Sequence, residues 1–447
     1  MRNYKQPVLA ALLSLSFAAA QAQNPLIRDQ FTADPTARVF GDRIYVFPSH
    51  DILAKPGKGR PGWFCMEDYH VFSSENLTDW VDHGMIVTQN NVPWVRPDSY
   101  SMWAPDCIYR NGKYYFYFPT SAKDTLTYGR GFSIGVAIAD QPQGPYTPQP
   151  APIANVKGID PNVFIDKDGQ AYLYWSAGEI FGAKLKDNML ELASEVKTLG
   201  QLPNKGLKEG PYLFERNGIY YLTYPHVENK TERLEYATST NPLGPFQFAG
   251  VIMDESPTGC WTNHHSILPF KDQWYLFYHH NDYSPGFDKA RSIRADSLFF
   301  NSDGTIRKVI PTLRGIGVTD ATSPIQIDRY SAKAADGASI AFLDTTNRFA
   351  GWKVILDKPD AWMQYNTVKF GKSIKKVTVK ANSSTGATLV IRSGSVTGPV
   401  ITEITVPGGN DWKEINKTIG KTPSGLQHLV LQLKGTGTVE TDWIRFE

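Results

Sequence analysis

Three carboxylates head near-repeated segments of this chain. They are Asp34 in Ala33-Asp34-Pro35, Asp160 in Ile159-Asp160-Pro161 and Glu209 in Lys208-Glu209-Gly210-Pro211. A carboxylate can take a proton from water, and a carboxylic acid can give one to a leaving oxygen, so acids gathered in one pocket can supply a general base and a general acid. Burial and like charge in such a pocket push their pKa values apart. For any one of these residues the plain alternative is a turn or capping Asp beside a proline. What separates the two readings is the register at which the acids recur.

Each acid precedes a tight polar turn and an aromatic return strand, and that unit can be read five times. The turns and return strands are Gly41-Asp42 before Arg43–Phe47, Asn111-Gly112 before Lys113–Tyr117, Asp168-Gly169 before Gln170–Tyr174, Asn217-Gly218 before Ile219–Leu222, and Lys271-Asp272 before Gln273–Tyr278. Asn-Gly and Asp-Gly accept the positive φ of two-residue hairpin turns, and the aromatic and β-branched residues that follow suit a pleated, buried surface. Counting back from each turn reaches Asp34, Asp106, Asp160, Glu209 and His264, roughly 50 to 70 residues apart. Several short strands per repeat at such a period mark a β-propeller, whose blades direct their first strands at a central axis. Five anchors imply five blades, with the acids meeting at the axis. The insert Ala54–Met66, rich in Gly, Pro and Lys, is expected to form a loop over that axial face.

Near Asp328 the hairpin repeat gives way to alternating strands such as Val377–Ala381 and Leu429–Leu433, which read as a separate β-sandwich over residues 328–447. The expected organisation is all-β: a leader over 1–22, a five-bladed propeller over 23–325, then the sandwich. Arg2 and Lys5, an apolar Val8–Ala20 stretch and Ala20-Gln21-Ala22 form the leader pattern of a secreted or periplasmic protein. That stretch is too short for a permanent membrane span. Lys plus Arg number 46 against 44 acidic residues, with no dense basic run, which argues against nucleic acid or an anionic membrane as partner. The three cysteines, Cys65, Cys107 and Cys260, suggest no metal cluster and read as buried small residues.

The set Ala33-Asp34-Pro35, Trp103-Ala104-Pro105-Asp106, Gly158-Ile159-Asp160-Pro161, Glu209-Gly210-Pro211 and His264-His265-Ser266 closely resembles glycoside hydrolase family 43 over about Asn24–Ile325. The resemblance implies a five-bladed propeller that releases arabinofuranose or xylopyranose units with inversion. It implies Asp34 as general base, Glu209 as general acid, and Asp160 as the residue that orients the acid and raises its pKa. By the same carry-over Arg291 holds the carboxylate group in place. Trp103, Asp106, Arg291 and His264 are the candidate substrate-binding residues. For Trp103 a sugar platform stands against simple packing. For His264 a nearby calcium-and-water site, of the kind seen in some relatives, stands against a satisfied core histidine. The chemistry itself requires no cofactor. Inverting hydrolysis needs an ionised base and a protonated acid on opposite faces of the sugar, so the acid must be buried or lie beside negative charge.

The tail, with Trp362-Met363-Gln364-Tyr365, Asp411-Trp412 and Asp442-Trp443, resembles carbohydrate-binding module family 6. Glu440 stands where such modules carry a late asparagine, which sets a buttressing role beside a binding one. The expected activity is release of terminal α-L-arabinofuranose or β-D-xylose from plant polysaccharides or oligosaccharides, the carbohydrate being the partner. The alternatives are an exo-β-galactosidase on the same scaffold, a non-catalytic sugar-binding propeller, and a retaining propeller of the invertase type. The invertase type places Arg before the middle Asp and Cys after the Glu, where this chain has Ile159 and Gly210.

Overall fold

The structure, a computed structural model, describes residues 24–200, 202–203, 205–281, 284, 286–346, 350–371, 374–420 and 423–447. The expected leader over 1–22 lies outside the described residues. The five predicted hairpins head five antiparallel sheets. Four have four strands each, beginning with the inner strands Phe31–Phe40, Asp106–Arg110, Ile159–Ile165 and Tyr212–Arg216. The fifth has three, Ser266–Phe270, Gln273–His280 and Ser292–Leu298. Neighbouring inner strands touch around the ring, and the first also meets the fifth, so the propeller closes. Asn111 and Asn217 adopt φ of 50° and 54° at the turn positions that require it, each followed by a glycine at positive φ.

Closure uses the segment that precedes blade one. Residues from Asn24 run beside the third strand of blade five, where the Leu26 N–H donates to the Ile293 oxygen at 2.9 Å and the Thr32 N–H to the Arg291 oxygen at 2.9 Å. The wholly buried Asn24 side chain accepts from the Ala295 N–H and donates to the Ala295 and Thr312 oxygens. Aromatic residues of the return strands, among them Phe47, Phe116, Tyr174, Tyr221 and Tyr278, are buried in the propeller core.

Two sheets form the C-terminal sandwich around Leu389, Ile391, Leu431, Val377, Val379 and Ile444. The chain enters it through the two-residue strands Thr319–Asp320 and Ile325–Gln326, ahead of residue 328, and strands so short carry no alternation to read. Tyr365 is a core residue whose hydroxyl donates to the Ile327 oxygen. Glu440 is paired with Lys353 at 2.8 Å. Trp412 and Trp443 lie beneath Lys380 and Arg445. All three cysteines are buried and free. Among the described residues no helix is long and apolar enough to cross a membrane.

Candidate active site

Asp34 and Asp160 reach the axis by the same local device. Each precedes a proline, each sits at positive φ (48° and 58°), and the strand register shifts beside each. Non-glycine residues seldom adopt that backbone, Asp being among the more tolerant, and a bulge at a strand end re-aims the side chain. In the third segment the residue before proline is Gly210, at φ 52°, and Glu209 stands one position upstream. A Cβ at Gly210 would lie 2.9 Å from Pro225 Cδ and 3.0 Å from His264 Nδ1. Glycine there keeps the turn while the acid is displaced by one residue.

The three acids line one pocket of about 160 Å³. Trp103 joins its wall, as do Trp63 and Phe64 from the predicted insert, and His264, Glu232 and Arg291 complete the polar lining. Phe64 packs against Trp103 at 5.9 Å and under the Arg291 guanidinium at 4.8 Å.

Arg291 is 2% exposed and grips two carboxylates. Its Nη1 and Nη2 donate to Asp34 Oδ1 and Oδ2 at 2.8 and 3.1 Å, while Nε and Nη2 donate to Asp51 Oδ2 and Oδ1 at 2.8 and 2.9 Å. Ser49 Oγ donates to Asp34 Oδ2 at 2.5 Å. Burial, the largest single influence, would raise the Asp34 pKa, but Arg291 together with the neighbouring histidines and the Ser49 hydroxyl overrides it and brings the carboxyl down to about 2. The Asp34 N–H donates to His279 Nδ1 at 3.0 Å, so that ring is neutral and protonated at Nε2, which faces Thr262. Burial and then Arg291 push the His279 pKa down to about 3.

Among the described residues no such cation is bonded to Asp160 or Glu209. Asp160 accepts the Gly210 N–H at 2.9 Å and a Ser176 Oγ–H at 3.4 Å. Burial, then the Glu209 charge, push it well above the ordinary carboxyl range. Glu209 is also raised well above that range, by burial and then by the neighbouring Glu232 carboxyl. Burial lifts Glu232 to about 7. The pocket thus holds Asp34 as an ionised carboxylate together with a group of acids whose pKa values are all raised.

Two predicted residues stand differently from their neighbours in the repeat. Asp106 is wholly buried and lies outside the pocket. Arg38 grips both its oxygens, and the Val163 and Cys107 N–H groups donate to it. Asp106 follows its proline and pairs regularly with Tyr117, so no bulge turns it toward the pocket, and it is a tie between blades rather than a substrate contact. His264 does line the pocket, and burial lowers its pKa to about 4. Calcium takes about six to eight oxygen ligands. The nearest recorded carboxylate oxygen, from Asp160, is 3.9 Å from His264 Nδ1, and no three His, Cys, Asp or Glu side chains that include His264 converge among the described residues. Among the described residues, carboxylates therefore do not gather around His264 as a calcium site built from side chains would require. Asp51 and Glu232 escaped the sequence reading, being at strand ends outside the repeated head, and Glu232 stands among the other charges Arg233 and Glu235.

The sequence pattern of glycosyl hydrolases family 43 matches residues 22–306. The chain belongs to this family. It is accordingly a glycoside hydrolase acting on carbohydrate, and its sandwich matches the carbohydrate binding module (family 6) over residues 331–447. A xylosidase/arabinosidase 43A of Humicola insolens is 35% identical over 331 residues, covering 63% of this chain and 98% of that protein. An arabinoxylan arabinofuranohydrolase of Paenibacillus polymyxa is 28% identical and spans 93% of this chain and 72% of its own length. Among solved structures, a family 43 beta-xylosidase/alpha-arabinofuranosidase from a compost microbial metagenome, in complex with xylotriose and in a calcium-free form, superposes with a TM-score of 0.58 at 34% identity, covering 65% of this chain and 98% of its own.

Proposed function

We propose that the protein is an exported, exo-acting, inverting glycoside hydrolase that releases terminal α-L-arabinofuranose or β-D-xylose from plant polysaccharides or oligosaccharides. The observation that carries this reading is the contrast between Asp34, held ionised by Arg291, and Glu209, held protonated by burial beside Glu232. Asp34 takes a proton from water as the water oxygen bonds to the anomeric carbon. Glu209 gives its proton to the departing oxygen as the glycosidic bond breaks, and the anomeric configuration inverts. Asp160, bonded to the Gly210 N–H, fixes the backbone that aims Glu209. Trp103 and Phe64 offer flat apolar faces to the sugar ring. No metal takes part in these steps.

A pocket of about 160 Å³ is smaller than the roughly 300–1,000 Å³ of drug-sized ligand sites, which supports one terminal sugar unit over an internal chain segment. The pentose assignment draws on the xylosidase and arabinosidase relatives, and export on the leader pattern of residues 2–22. The test is release of nitrophenol from α-L-arabinofuranoside, β-D-xylopyranoside and β-D-galactopyranoside, with Asp34→Asn alongside and the product anomer read by NMR. Turnover of a pentoside, lost in the variant and giving the inverted anomer first, is expected. Preference for the galactoside would move the assignment to the alternative sugar. A first-formed anomer of unchanged configuration would overturn inversion.

A further inference from the structure

Glu232 heads the third strand of blade four, Glu232–Ser239, and faces Glu209 across the pocket wall. It is anchored on both sides: its N–H donates to the Trp261 oxygen at 2.9 Å, and its Oε2 accepts the Asn263 N–H at 2.6 Å. The residue is 1% exposed, and its Oε1 meets no protein N–H or O–H donor. Both carboxyls line the one pocket of about 160 Å³, and that of Glu209 lies within hydrogen-bonding reach of Glu232. Two carboxylates are acceptors only, so such a bond needs one proton between them. The charged groups around the pair are Asp34 from blade one, Asp160 from blade three and Arg291 from blade five, with His264 neutral beside them. Arg291, the cation among the described residues that line the pocket, is committed to Asp34 and Asp51.

We infer that Glu232 is a positioning residue for the hydrolytic reaction: it shares one proton with Glu209, and its Asn263 anchor biases that proton toward Glu209, loading the group that must donate it. A backbone N–H on Glu232 Oε2 favours charge on Glu232, and a second charge on Glu209 beside it is then unfavourable. When Glu209 passes its proton to the leaving oxygen, both carboxyls are briefly ionised, and the pair regains one proton from solvent. The pair therefore titrates as a unit. Asp160 holds the backbone through Gly210, and Glu232 holds the proton. This inference rests on the proposed function, since it assigns Glu209 the acid's part.

The test compares kcat-pH profiles of the full chain and Glu232→Gln on a pentoside with a poor leaving group. Glutamine keeps the shape, removes the neighbouring charge and can donate to an ionised Glu209. The alkaline limb is therefore expected to fall by about one pH unit or more. A residue that only shapes the wall would lower kcat evenly and leave the limb in place, so an unmoved limb in the folded variant overturns the inference. If Glu232→Gln does not fold, Glu232→Asp withdraws the carboxyl by one methylene, a smaller fall is expected, and an unmoved limb overturns the inference equally. Pentoside turnover that depends on Glu209, combined with an unmoved limb, sinks only this inference. Absence of any pentoside turnover by the unmutated chain removes it together with the proposed function.

Discussion

On one wall of the pocket Asp34 is gripped by a guanidinium, and on the other Glu209 rests against a second carboxyl. Burial raises the pKa of both groups, so burial does not explain why they part. The partner decides. Arg291, helped by the neighbouring histidines and the Ser49 hydroxyl, offsets the desolvation of Asp34 and carries it below its ordinary 3.8 to about 2, whereas Glu232 adds to the desolvation of Glu209. A propeller can make this difference because each blade delivers its partner residues from different strands. Arg291 comes from blade five and Glu232 from the third strand of blade four.

Asp34→Asn should break the comparison most severely, because it removes the acid that Arg291 holds ionised. A fall in kcat of about 10⁴-fold is expected, read on nitrophenyl pentosides. Glu209→Gln should lower kcat by about 10³-fold on alkyl glycosides and far less on dinitrophenyl ones, whose leaving groups need little protonation. A leaving-group series measures this directly, and equal losses across it would remove Glu209 from the acid's part. Arg291→Met leaves Asp34 and Asp51 buried without their cation, and a loss of about 3–5 kcal/mol in urea unfolding is expected.

The smallest effect sharpens the contrast through pH. The Asp34 pKa is depressed on folding, so its stabilisation, about 2 kcal/mol, is present above its ordinary value of 3.8 and lost as pH falls through about 2. The Glu209 pKa is raised, so its contribution is full below the ordinary 4.5 and is lost as pH rises. Melting temperatures should therefore show the unmutated chain losing its advantage over Asp34→Asn as acid is added. They should show Glu209→Gln gaining on the unmutated chain as pH rises above the ordinary 4.5. Parallel slopes for the two variants would mean that the walls do not differ.

Much of this contrast could be read from the chain alone. The five turns, the X-Pro heads and the convergence of Asp34, Asp160 and Glu209 follow from local residue types, since turn chemistry and strand period act over a few residues. Asp106 shows where register misleads. It occupies the same place in its repeat, yet with proline before it rather than after it the strand stays regular and the side chain meets Arg38. Asp51 and Glu232 were illegible for another reason: each acquires its role from a residue far along the chain, Arg291 or Glu209, and no local pattern encodes that meeting.

The closing seam of the ring has a consequence for when the protein becomes an enzyme. Asn24 and the strand after it lock onto blade five, and the guanidinium that charges Asp34 comes from that same blade, more than 200 residues downstream. An emerging chain that has made blades one to four has every acid of the pocket but no cation to separate their protonation states. Catalytic competence therefore arrives with the last blade, as a single event that coincides with completion of the ring. Pulse-labelled activity should track seam formation rather than the appearance of β-structure.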